Sequence, residues 1–317
     1  MRSFLRCWTR RCLRLLRGRC VGGALFLLTA IAGFGVALAG DSVTVEAQEH
    51  SPYADPERPA LSLVLSDGQN LEAFRAEFGL GGGAIEEVQA AIGRENEALA
   101  AAYAESEQIV QANEGLPPEE IEAKIAASGY HEKVRAAIAE TKATIENLLP
   151  EDRRLDLGPW VDARITQEGQ ESSELAVVPS GNGSGVSCRV FATQYNGFTR
   201  SEVALPHKSL KVKGGYSVRI QRGNHATKAR VKEVGPWNIR DNYWQGHKNR
   251  DMWGNLPRCT PEAQAAYFDN YNRGRDQYGR KVLNPAGIDL TPRVASRLGL
   301  KRYENAWVRV RFPWVGR

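Results

Sequence analysis

The chain has 317 residues, 42% of them hydrophobic and 25% charged, with a formal net charge of +5. That length allows two domains, and the composition excludes collagen-like and wholly disordered classes. The small net charge conceals a split. Residues 41–180 hold 28 acids against 10 Lys and Arg (10 − 28 = −18), and residues 181–317 hold 25 Lys and Arg against 9 acids (25 − 9 = +16). An acidic half therefore precedes a basic one.

Residues 1–40 stand apart from both halves. They carry seven Arg (2, 6, 10, 11, 14, 17 and 19) and no acid, followed by an uncharged run from Val21 to Ala39. Ala37-Leu38-Ala39 before Gly40 has the A-x-A form of a cleavage signal. The stretch from Thr9 to Arg14 resembles a twin-arginine export signal. The apolar run is long for a signal peptide, so residues 1–40 read as a signal peptide or a retained membrane anchor. Either way the expectation is an exported protein, secreted or N-terminally anchored in the cell envelope, with membrane contact only through this segment. No Cys stands at the cleavage point for a lipid anchor. Cys7, Cys12 and Cys20 belong to the leader, leaving Cys188 and Cys259, and two cysteines in an exported chain suggest one disulfide. Export also turns the basic half away from nucleic acid and toward an anionic wall polymer or glycan.

Residues 41–67 are polar and Pro-containing, a linker. Helical signals begin near Asn70. Across Gly83–Asn113 the apolar positions Ile85, Val88, Ile92, Leu99, Tyr103 and Val110 recur at spacings of 3, 4 or 7, which is one stripe of a long amphipathic helix. Gly115 ends it, and Pro117-Pro118-Glu-Glu starts a helix carrying Ile121 and Ile125. Beyond Gly129, Val134, Ile138, Ile145 and Leu148 form a third stripe. A last helix over Glu151–Ile165 is expected to bury Leu155, Trp160 and Val161. Residues 68–167 thus read as an acidic helical bundle or hairpin. The plain reading is a scaffold; a partner-binding arm or an acidic lid over the basic domain are the functional ones.

Residues 168–185 form a linker ending in Pro179-Ser-Gly-Asn-Gly-Ser-Gly185. Strand patterns follow at Cys188–Tyr195, Tyr216–Gln221, Thr227–Val234 and Ala306–Phe312, with a hairpin turn over residues 221–225. Short helices are predicted over Pro261–Tyr267 and Thr291–Leu298, the latter started by Thr291-Pro292 and stopped by Gly299. Asp289, between Ile288 and Leu290, is an acid partly shielded from water. Within about forty residues fall Trp237, Tyr243, Trp244, Trp253, Tyr267, Phe268, Tyr271 and Tyr278, interleaved with Arg and Asn. Aromatic faces beside amides suit sugar rings, so Tyr195, Trp237, Asn238, Tyr243, Trp244 and Trp253 are candidate substrate contacts; packing the insertion onto the barrel is the alternative. Asp269–Asp276 has the composition of a calcium loop, but Arg273 takes a ligand position and no terminal Glu follows, so no metal and no cofactor are expected.

Four segments occur in order: Ala204-Leu-Pro-His207-Lys-Ser-Leu210, Ala229-Arg-Val-Lys-Glu233-Val-Gly-Pro-Trp237, Gly287-Ile-Asp289-Leu-Thr and Trp307-Val-Arg-Val-Arg311. Together they resemble the double-psi β-barrel of the rare lipoprotein A (RlpA) and expansin group, over residues 186–317 with an insertion at about 238–283. The fold expected is α+β, an N-terminal α-helical bundle or hairpin plus a C-terminal six-stranded double-psi β-barrel with an aromatic-rich insertion.

The resemblance implies peptidoglycan or a related cell-wall glycan as partner and, in active members of the family, lytic transglycosylase action. It places His207 on the family histidine, Glu233 on the aspartate of an N-D-R-G-P-F motif, and Asp289 on the acid of a D-L-S element. Glu233 is one methylene longer than that aspartate, and Val234 stands where the motif has arginine. The three side chains are expected to meet at the barrel mouth. Two other function classes stay open: a non-catalytic expansin-type carbohydrate-binding, wall-loosening module, and an interaction protein recruited through the helical arm.

Overall fold

The computed structural model describes residues 51–174, 177–178, 185–195 and 201–316. The expected leader and the Gly/Ser stretch lie outside the described residues. No described helix is long and apolar enough to cross a membrane.

Among the described residues six α-helices precede the barrel: α1 (Ala60–Leu65), α2 (Gly68–Glu77), α3 (Gly82–Ala112), α4 (Pro118–Ala127), α5 (Tyr130–Leu148) and α6 (Leu157–Glu174). The 3.6-residue period explains them. In α3 the stripe residues Ile85, Val88, Ile92, Leu99 and Val110 are buried, and α4 turns Ile121 and Ile125 onto the same core. Asp67 caps α2 by accepting from the Gln69 and Asn70 amides. Two details differ from the sequence expectation. A 3-10 turn occupies Glu151–Asp156 and leaves Leu155 88% exposed, because the tighter turn rotates it off the buried face. Ordered helix also starts ten residues earlier than Asn70, at Ala60, where every residue of α1 is buried.

The barrel is built from β2 (Val186–Gln194), β3 (Glu202–Leu205), β4 (Ser217–Arg222), β5 (His225–Val234), β6 (Ala286–Leu290) and β7 (Ala306–Phe312); β1 (Val177–Val178) adds to β2 outside the ring. Neighbours run β2-β6-β3-β5-β4-β7, and β7 pairs back onto β2, which closes the six-stranded ring. Pairs β2–β6 and β3–β5 are parallel and the others antiparallel. Short helices α7 (Lys208–Lys213), α8 (Glu262–Asp269) and α9 (Pro292–Arg297) fill the connections. Alternation along each strand sends Val190, Val203, Ile220, Val231, Ile288 and Val310 into the barrel core.

A second core unites the helices with the barrel's outside. Phe191 of β2, Trp237, Tyr267, Val282 and Leu283 are buried in one cluster with α1–α6. Phe268 stacks on Trp307, and a Cβ at Gly169 of α6 would meet the Phe268 ring at 3.2 Å. Much of the aromatic insertion is therefore glue between two halves. Cys188 and Cys259 form a disulfide that ties the insertion to β2, with a Cα–Cα distance of 5.1 Å.

The opposed charges of the two halves also meet here. Arg280 is fully buried: its Nε bonds Asp276 at 2.6 Å, Nη1 bonds Glu107 of α3 at 2.7 Å, and Nη2 donates to the Trp237 carbonyl at 2.7 Å. Arg275–Glu122 (2.8 Å) and Lys281–Asp55 (2.9 Å) add two further ties.

Candidate functional site

The register of four adjacent strands sets the site. Thr193 of β2 lies opposite Asp289 of β6, Asp289 opposite Ala204 of β3, and Ala204 opposite Glu233 of β5. Laterally paired residues share a face, so these four form one row across the sheet. The adjacent Ala192, Ile288 and Val203 fill the barrel core, so the row lies on the outer wall. With strands about 4.8 Å apart, Asp289 and Glu233 are roughly 10 Å apart at Cα, with the small Ala204 between them. A β-bulge between Val203 and Ala204 on the pairing with β5 is what brings Glu233 into this row.

Above the row is a cleft of about 860 Å³, roofed by α3. Ala100, Ala101 and Ala104 face it from the helix, and their short side chains leave the gap that larger residues would fill. The roof is latched at two points about 15 Å apart along α3. At one, Tyr303 donates to Glu97 at 2.5 Å; at the other, Arg280 holds Glu107. Six amides stand in the polar lining, Asn96, Gln108 and Gln111 from the roof and Gln194, Asn284 and Asn305 from the barrel side, beside as many hydroxyls, four carboxylates and Arg302.

Asp289 accepts a hydrogen bond from the Thr193 hydroxyl. Burial pushes its carboxyl up to about 6, with the Thr193 bond acting in the opposite direction. Among the described residues no cation is in an ion pair with it to restore the charged form. A Cβ on Gly235 would point at Asp289 Oδ2 from 3.9 Å, and the positive φ of 141° there favours glycine. Glu233 differs. Its Oε2 accepts from Lys211 at 3.0 Å, while its Oε1 is buried without a hydrogen-bond partner. Tyr195 lines the same cleft, its phenol raised by burial first and then by the carboxylates of Glu202, Asp289 and Glu233. Trp237 lines it too, held by its indole N–H bond to Asn284 at 3.1 Å.

The other candidates fall elsewhere. His207 does not line the cleft: its Nδ1 contacts Ser209 Oγ at 2.7 Å, its Nε2 lies 3.6 Å from Asp251, and burial lowers its pKa. The isolated bridge between His207 and Arg240 turns it toward the insertion. Asn238 is buried, donating to Glu262 at 2.7 Å and accepting from the Gln277 amide. Tyr243 is buried with its hydroxyl on the Gly287 carbonyl, and Trp244 stacks on Phe312 in the barrel core. Trp253 packs edge-on against Tyr271, away from the cleft. These four of the six proposed sugar contacts do not line the cleft, and an insertion with few regular elements draws on such residues for its own packing. Among the described residues no group of three or more His, Cys, Asp or Glu could hold a metal ion.

Thr193 and the α3 amides carry no sequence signal. Thr193 is identifiable only by strand register, and Asn96, Gln108 and Gln111 look like the solvated face of an amphipathic helix.

Residues 186–311 match a family described as a domain of unknown function (DUF8814). The match covers the barrel and its insertion and stops short of the helical half. No curated protein and no solved structure matches the chain.

Proposed function

We propose that the cleft binds a cell-wall glycan, peptidoglycan or a relative of it, and that Asp289 is its acid–base group in a lytic-transglycosylase reaction. One observation carries this reading. Asp289 is a half-buried carboxyl raised to about 6, facing a cleft large enough for sugar rings and lined by amides that match hydroxyl and acetamido groups.

The chemistry needs one such group. Protonated Asp289 gives its proton to the glycosidic oxygen as the C1–O bond breaks, and the leaving sugar departs as an alcohol. The sugar's own hydroxyl then closes on C1, and the carboxylate takes back that hydroxyl's proton. The product is an anhydro sugar and no water is consumed. Glu233, with one unpartnered oxygen in the same row, is placed to orient a substrate hydroxyl rather than to share the proton. The sequence resemblance to the double-psi barrels of the RlpA and expansin group supports the same substrate class. The reading also takes the chain to be exported to the cell envelope.

Purified sacculi digested with the wild type should release anhydro-muropeptides detectable by mass spectrometry, and Asp289→Asn should lower that rate by about 10²- to 10⁴-fold. Sacculus binding without anhydro product from the wild type would instead indicate a non-catalytic, wall-loosening module. Neither binding nor product would remove the glycan assignment.

A further inference from the structure

The outer barrel wall on β5, β4 and β7 is strongly cationic, from Lys232 beside Glu233 at the cleft's edge round to Arg309 and Arg311. Strands β5, β4 and β7 turn Lys228, Arg230, Lys232, Arg219, Arg309 and Arg311 outward, since Ala229, Val231, Val218, Ile220, Val308 and Val310 fill the core. No acid points outward between them. Register makes the crowding worse. Lys228 lies directly opposite Arg219, and Arg219 directly opposite Arg311, so three cations stand side by side across three strands. Like charges paired in this way destabilise a sheet. Arg219, Lys228, Arg230, Lys232 and Arg309 are exposed, and among the described residues none of them is in an ion pair.

The acidic helical half could have neutralised this wall, yet it is seated on the other side. Its carboxylates pair instead with Arg275, Arg280, Lys281 and Arg302. Arg219, Lys228, Arg230, Lys232 and Arg309 therefore stand close together without an ion-pair partner among the described residues, on an exposed face.

We infer that this face docks on the surface of a bilayer carrying anionic headgroups. Three features select a surface over a strand-like polyanion. The cations form a two-dimensional array, about 5 Å apart across strands and about 7 Å apart along them. They stand on the outer wall of the barrel, and none of them lines the cleft under α3. Clustered Lys and Arg at a membrane surface gain from the potential of its anionic lipids. The site row is carried by β2, β6, β3 and β5, whereas the array centres on β4 across the ring. A bilayer on this wall leaves the cleft clear. This contact is additional to the one expected through the N-terminal segment, and it stands whether or not the cleft cleaves glycan.

The test is co-sedimentation of the full chain with vesicles of phosphatidylcholine alone or of phosphatidylcholine mixed with phosphatidylglycerol. The wild type should bind the anionic vesicles about tenfold or more tightly than the neutral ones, and about 0.5 M salt should abolish the difference. The variant Arg219→Gln, Lys228→Gln, Arg230→Gln, Arg309→Gln should show a preference several-fold smaller than the wild type's and keep its fold, melting at or above the wild-type temperature. Residues 1–40 carry seven Arg, so any anionic preference of the N-terminal segment appears equally in both proteins, and the difference between wild type and variant isolates the face. Equal binding to both compositions would overturn the proposal. So would a preference undiminished in a folded variant, or tighter binding to soluble polyphosphate than to vesicles at equal phosphate.

Discussion

At the scale of single residues, burial without compensation decides which acids matter. Asp289 and Glu262 are both pushed up by desolvation, to about 6 and about 9, yet only Asp289 faces a cleft. Glu262 is sealed at the start of α8, where it bonds Asn238 and gives its backbone N–H to Asp241. Its consequence is on stability. Unfolded, a Glu loses its proton near pH 4.3; folded, Glu262 keeps it to about 9. Between those values the unfolded state binds fewer protons, so stability falls as pH rises through the window and levels off above it. Glu262→Gln should flatten that slope and raise the melting temperature at pH 8 by a few degrees, as read by calorimetry at several pH values. A slope unchanged in the variant would mean that Glu262 is ionised in the fold. The proposed transglycosylase reaction would have its own window. It needs Asp289 protonated at the start, so glycan cleavage should decline as pH rises through about 6.

Among elements, α3 is both roof and clamp. Arg280→Met would leave Asp276 and Glu107 buried or half-buried without their cation, which should cost about 3–5 kcal/mol in denaturant unfolding. The alanines make the opposite kind of prediction. Ala104→Trp projects a large side chain into empty space rather than packed core, so the fold should hold while glycan affinity falls by at least about tenfold. A variant that binds glycan as well as the wild type would place the ligand elsewhere. These roles explain what could be read beforehand. The stripes of α3–α5 and the strands β2, β4, β5 and β7 were legible because a period of 3.6 or 2 repeats over enough residues to register. Strands β3 and β6 are only four and five residues long and buried along most of their length, so no alternation marks them. Asp289 was legible as a shielded acid through its flanking Ile288 and Leu290. Its partners were not, because register across β2, β6, β3 and β5 is a tertiary property. The same limit misplaced His207, since a shared motif fixes its position in the chain but not the insertion that draws it toward Asp251.

For the whole molecule, the charge split has two outcomes. Part of the basic half is spent on the acidic half, through Arg275, Arg280, Lys281 and Arg302, and part is left on the open wall of β5, β4 and β7. The shared core makes the two halves interdependent. Removing residues 51–174 would expose Phe191, Trp237, Tyr267 and Phe268 together, a patch large enough to drive association. The barrel fragment alone should aggregate or bind a hydrophobic dye in light-scattering and fluorescence assays, whereas a detachable recruiting arm would leave it monodisperse. The central claim is that a glycan lies between α3 and the outer wall of the barrel. Titrating the isotope-labelled protein with N-acetylglucosamine oligomers, followed by amide NMR shifts, tests this most directly. Shifts concentrated at Thr193, Asp289, Asn284, Ala104 and Gln108 are expected; shifts centred on His207 and Trp253, or none at saturating oligomer, would contradict it.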